Sequence, residues 1–226
     1  MKILFSIITA IICGYLAIIT LDIEKAKKYK VFYSNDSEHY EKVTLKIKII
    51  WLVAILVTGL SGLTSYMIFS ELDDVLNICK MLVSLIVLSG SSCFDLREHR
   101  IPNIFPLILS VSGIVFLVIG ILIRQEGALS YVVSSAFATF GCVISLMIAS
   151  VLTNNGIGAG DVKLMGALAM IGGVYLVCGV LCISVFACAL VGVILLILKK
   201  KTIKDGVPFG PFIFIGFVIS IFTSIY

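Results

Sequence analysis

Apolar residues fill this chain in long, nearly unbroken blocks separated by short polar interruptions. The blocks run roughly over 3–21, 49–70, 75–94, 103–123, 128–152, 162–174, 175–198 and 208–226. A stretch of about 20 apolar residues is enough to cross the hydrocarbon of a bilayer as a helix. In lipid the backbone of such a stretch can satisfy its polar groups only within itself, as a helix. The alternation of lipid-facing and lumen-facing residues that marks a membrane β-barrel is absent. The pattern therefore predicts an all-α, polytopic transmembrane bundle of about eight segments. We read it as one membrane domain over 1–226, with N-terminal spans in 1–70 and a core over 75–226. The sixth block is short for a full span. Gly172–Gly173 is the expected break between it and the seventh. A single long tilted helix over 164–198 would instead put Lys199, Lys200 and Lys201 on the opposite side from Lys163.

Composition agrees. The chain is 60% hydrophobic and only 13% charged, too little polar surface for a soluble domain of this size. Charge then orients it, because Lys and Arg gather on the cytoplasmic side. The 22–48 segment carries seven lysines (Lys25, Lys27, Lys28, Lys30, Lys42, Lys46, Lys48). Arg97 and Arg100 follow in DLREHRIPN, then Lys163, then the lysines of KKKTIK. With eight spans all of these share one face, which is predicted to be cytoplasmic, with the N-terminus outside. The other face holds ELDD at 71–74 and RQEG at 124–127; only Lys2, Lys80 and Arg124 sit toward it. The 22–48 segment is expected to lie on anionic lipid headgroups. The net charge of +4 comes with no basic soluble domain, so nucleic acid is not an expected partner. The first block does not read as a cleaved signal peptide, since no A-x-A site follows it. The seven cysteines (Cys13, Cys79, Cys93, Cys142, Cys178, Cys182, Cys188) lie in or beside apolar blocks and form no CxxC pair. They predict neither a zinc site nor a disulfide framework.

Two carboxylates stand out. Asp95 ends the third block in SCFDLREHRIPN, and Asp161 begins the sixth in GIGAGDVKLMG. Taken singly, Asp95 reads as a loop acid balanced by Arg97 and Arg100, and Asp161 as a helix cap. Together they read differently, because the topology brings both to the same membrane boundary. Ionisable groups near the bilayer interior are costly and usually face a cavity or a partner. Two carboxyls brought close in low dielectric share a proton, one charged and one neutral. That split supplies a general base and a general acid at neutral pH. The base takes a proton from a water that attacks a peptide carbonyl. The acid protonates the carbonyl oxygen and then the leaving amine. Neither a metal nor any other cofactor is required. Gly156, Gly158 and Gly160 leave bare backbone beside Asp161, where an extended peptide can approach. Pro102, Pro208 and Pro211 read first as helix starts, and PFGPF also as a lining of the site entrance.

Other chemistries fit less well. GLSG at 59–62 has the look of a serine-protease motif, but Ser61 would need a histidine facing it in a span. The only histidines are His39 and His99. No HExxH is present for a metalloprotease. The rival of a different class is a transporter or proton channel that uses the two acids as relay groups.

DLREHRIPN resembles the first catalytic motif of type IV prepilin peptidases. GAGDVKLMGALA resembles their second, the GxGD motif also found in presenilin and signal peptide peptidases. VPFGPFIFIG resembles a third marker before the last span. The resemblance covers roughly residues 75–226. It implies a multi-pass prokaryotic enzyme of the cytoplasmic membrane, an aspartic endopeptidase active at the cytoplasmic face. Its expected substrates are prepilins or pseudopilins, which lose a short basic leader, typically after a Gly that precedes an apolar helix. Asp95 and Asp161 match the catalytic pair. Gly158, Gly160, Lys163, Pro208 and Gly210 match positions expected to contact substrate. Asp22, Glu24, Glu38, Glu41 and Glu98 are the better candidates to meet a basic leader, which a lysine-rich segment would not attract. Many members carry a cysteine-paired domain linked to methylation. Residues 22–48 have no cysteine and are too short for it, so the expectation is a minimal peptidase without methyltransferase activity.

Overall fold

The structure is a computed structural model that describes residues 2–21, 53, 55–57, 59–64, 75–122, 128–153, 157–198 and 207–223. These are all helix, turn and short connection; no strand occurs among them. The helices are α1 (Lys2–Leu21), α2 (Val75–Glu98), α3 (Ile104–Leu122), α4 (Ala128–Leu152), α5 (Ala159–Ile197) and α6 (Gly210–Phe222). A further apolar helical stretch covers Ile55–Thr64. The second predicted block and the loops 22–48, 71–74, 124–127 and 199–204 lie wholly or largely outside the described residues.

Four helices, α2, α3, α4 (from Leu129) and α5, are long and apolar enough to cross a membrane. The distribution of side chains is that of a membrane protein. Large apolar groups such as Phe137, Val151, Leu152 and Tyr175 face outward at more than 70% exposure, while Ser84, Ser91, Ser184 and Asp95 are buried. With lipid outside, an apolar exterior is free of cost, and small hydroxyls inside let helices approach. Three of the buried hydroxyls find acceptors within their own helices. Ser84 Oγ donates to Lys80 O, Ser91 Oγ to Leu88 O and Ser184 Oγ to Val180 O. Ser61 is also fully buried and hydrogen-bonds Cys13, which makes it a packing residue between segments.

α5 is the hub. It packs against α3, α4 and α6, while α2 packs against α1, α3 and α6. The core between them is built from Leu85, Leu88, Leu109, Leu168, Ile213 and Phe217.

The break expected at Gly172–Gly173 falls on Gly173, whose φ of 71° and ψ of −169° interrupt α5. The backbone turns back there. Ser134 of α4 sits against Gly173, and Val143 lies over Gly166, before the break. Cys142 and Ser145, close by on α4, share a groove with Val177, Leu181 and Cys182, after it. Residues about equally far before and after Gly173 thus stand level on α4, so the two halves of α5 run in opposite directions. The Tyr131 hydroxyl of α4 donates to the Ile171 carbonyl beside the turn, and Lys80 Nζ lies 4.0 Å over the Tyr131 ring. This ties α2, α4 and the turn together. The Gly173 conformation lies where glycine alone is comfortable. Gly173→Ala is therefore expected to destabilise the fold by about 1–3 kcal/mol, read as a lowered midpoint of unfolding in detergent. The Ser134 Oγ would be 3.4 Å from the new methyl, so backbone strain rather than a clash sets the effect.

Candidate active site

α2 does not stop before Asp95, as the sequence suggested, but continues through it to Glu98. Asp95 is therefore held on a rigid helix, 5% exposed. The helix ends when the His99 N–H bonds to Asp95 O at 2.9 Å and His99 takes φ 51°. Left-handed residues commonly close helices, although usually as glycine. Five residues later α3 begins, with the Phe105 N–H bonded to Pro102 O. The Phe94 and Phe105 rings pack 5.3 Å apart across the turn. The 99–103 loop is thus short and pinned at both ends.

Asp161 does not cap α5; Gly158 occupies the N-cap position and makes no side-chain cap. Asp161 stands in the first turn, and its carboxylate reaches back to the Gly158 backbone, in the manner of the acidic member of a capping box. Its other oxygen, Oδ1, is buried and has no hydrogen-bond partner. A buried acceptor left open beside a cavity is a place for a water or a ligand group.

The two motifs are fastened to each other. An added Cβ on Gly160 would lie 3.0 Å from Ile101 Cβ and 3.2 Å from Ile101 O, so only glycine lets these backbones meet. Lys163 Nζ donates to Asn103 Oδ1 at 3.2 Å. Between them lies a cavity of about 510 Å³ lined by both aspartates, the 98–103 turn, Gly158, Ala159, Gly160 and Lys163. The carboxylates of Asp95 and Asp161 are close enough to feel each other's charge. The cavity also carries Glu98, which is paired with Arg97 at 3.2 Å, and the basic His99, Arg100 and Lys163.

Of the residues singled out in the sequence, Asp95, Asp161, Gly158, Gly160 and Lys163 line this cavity, whereas Pro208 and Gly210 are not among its lining residues. Gly210 has a different partner. Its N–H, at the start of α6, donates to Asp95 Oδ2 at 2.7 Å, and the contact is buried. An added Cβ there would stand 3.0 Å from both Asp95 Cβ and Asp95 Oδ2. VPFGPF thus reaches the site from behind Asp95. Asn103 was not singled out for the site; its signal was its place in DLREHRIPN beside the proline. Gly156 and most of the acids proposed to meet a leader (Asp22, Glu24, Glu38, Glu41) lie outside the described residues. Among the described residues no group of three His, Cys, Asp or Glu side chains is placed to hold a metal.

A model of the type IV leader peptidase family matches residues 81–193. That span is half of the chain and contains both aspartates. No curated protein and no solved structure matches the chain.

Proposed function

We propose a function from one established premise: the chain belongs to the type IV leader peptidase family and is a membrane peptidase. Our reading is that it is an aspartic endopeptidase that removes the basic leader of prepilins or pseudopilins at the cytoplasmic face of the membrane. The observation that carries this reading is the meeting of Asp95 and Asp161 in one cavity, although one stands in the last turn of α2 and the other in the first turn of α5, far along the chain.

The surroundings of the two acids suggest a division of labour. Asp95 Oδ2 accepts the Gly210 N–H at the positive end of α6. Such a bond favours the charged form of a carboxyl. Asp161 Oδ1 has no partner and faces the charge of Asp95. Of the two, Asp95 is the better placed to carry the charge and Asp161 the shared proton. Asp95 then takes a proton from a water held between them as the water oxygen adds to the scissile carbonyl carbon. Asp161 gives its proton to the carbonyl oxygen. Asp95 then passes its proton to the amide nitrogen, the C–N bond breaks, and one hydroxyl of the gem-diol gives its proton back to Asp161 as the new carboxyl forms, which restores the pair. The substrate must be extended at this point, since a helix has no free backbone to offer. The bare backbone at Gly158–Gly160 supplies a surface for it.

The direct test is to incubate the detergent-solubilised full chain with a prepilin and determine the new N-terminus by mass spectrometry. A single cut just before the apolar helix is the expected result. An uncut prepilin, or cuts scattered within the helix, would overturn the reading.

A further inference from the structure

A second cavity of about 260 Å³ lies away from the aspartates, between α4 and the second half of α5. Phe137, Gly141 and Ser145 form one wall and Cys178, Leu181 and Cys182 the other. The first wall steps by one helical turn at a time along α4, and the second follows one face of α5. We infer that this groove receives the apolar helix of the substrate while its leader is cut; the inference rests on the peptidase reading above.

Three features support this occupant over bulk lipid. The groove is nearly free of polar surface yet built largely from small residues. Lipid tails are as apolar as any side chain, so helices associate in a bilayer where small residues let their backbones come close. At Gly141 an added Cβ would meet nothing within 4 Å, so the wall is open at its narrowest side chain. The groove also runs toward the catalytic pair. Because α5 turns back at Gly173, the face carrying Cys178 and Cys182 returns toward the start of α5. Seven residues on from Leu181, two helical turns along that face, stands Cys188, which lies within electrostatic reach of Asp161. From Val174 to Cys188 this face is about 21 Å long, at ~1.5 Å per residue. A helix lying there ends beside Asp161, where its extended N-terminal segment can enter the catalytic cavity. A groove that served only lipid would have no need to lead to the acids.

The native thiols allow a direct test. Cys178 and Cys182 are exposed free cysteines, and so is Cys79 near the start of α2, outside the groove. The full chain carrying Asp161→Asn, which holds substrate uncut, is mixed with a prepilin bearing one cysteine at successive positions of its apolar helix and oxidised with copper phenanthroline. The expected result is a crosslink to Cys188 close to the cleavage point and to Cys182 about six residues deeper, since both helices rise by ~1.5 Å per residue, with none to Cys79. Crosslinks to Cys79, or crosslinks without this spacing, overturn the groove. A second variant, Gly141→Leu, fills the opening. With it, the ratio of turnover of a full prepilin to that of a short peptide spanning the bond should fall roughly tenfold; an unchanged ratio overturns the groove. If the unmodified chain cuts prepilin but either readout fails, only the groove is lost. If it cuts neither substrate, the peptidase reading falls and the groove with it.

Discussion

Asp161→Asn is expected to leave a co-expressed prepilin uncut while the protein itself still accumulates in membranes, and Asp95→Asn to do the same. Each should lower turnover by about 10²–10⁴-fold, the range for removing a positioned acid or base. Asparagine keeps the size and one acceptor oxygen of each side chain but cannot exchange the proton. At position 95 it still accepts the Gly210 N–H seen at 2.7 Å, so loss of activity there reports chemistry rather than unfolding. Because the two acids act on one water, the double variant should be hardly worse than either single one. Retention of even a tenth of the activity in either variant would show that the pair does not carry the reaction. Processing assayed in membranes, with the amount of enzyme measured alongside, separates these outcomes.

Gly210→Ala is the second sharp expectation. The new methyl would stand 3.0 Å from Asp95 Cβ and Oδ2, with both helices packed around it, so Asp95 must move. A displacement of about 1 Å in a catalytic group costs on the order of 10²-fold. The loss should fall on kcat, with KM little changed, because Gly210 does not line the cavity. Steady-state kinetics with a prepilin and a short peptide distinguishes this from direct substrate contact by VPFGPF, which would raise KM instead. Adding Asp95→Asn to Gly210→Ala should cause little loss beyond that of Asp95→Asn alone, since both act through the same carboxylate.

How much of this could be read from the chain depends on the kind of signal. The helices were legible because a bilayer demands continuous apolar stretches, and α1 and α4 follow the predicted blocks closely. The break in α5 was legible because two adjacent glycines inside an apolar run are expensive unless the backbone needs them. The convergence of Asp95 and Asp161 followed from counting crossings. Their anchoring did not. The donor to Asp95 is a backbone N–H, which any residue but proline carries, so nothing in VPFGPF marks it. The continuation of α2 through Asp95 was hidden because LREH is polar and reads as loop, although such residues form helices readily once tertiary packing holds them. The contact of Gly160 with Ile101 and the bond from Lys163 to Asn103 join residues far apart in sequence, for which a single chain gives no pairing signal. The groove beside Cys178 and Cys182 was equally invisible, since small residues in a span look the same whether they face a neighbour or a vacancy.

The bond from Gly210 to Asp95 joins residues 115 positions apart, and this bears on how the protein is made. A ribosome completes both aspartates long before it reaches Gly210. Until α6 has inserted, Asp95 has no donor for Oδ2, and the half-built chain carries its acids without the geometry to use them. On the function proposed above, hydrolytic competence therefore arrives only after Gly210 has been translated and α6 has packed behind Asp95.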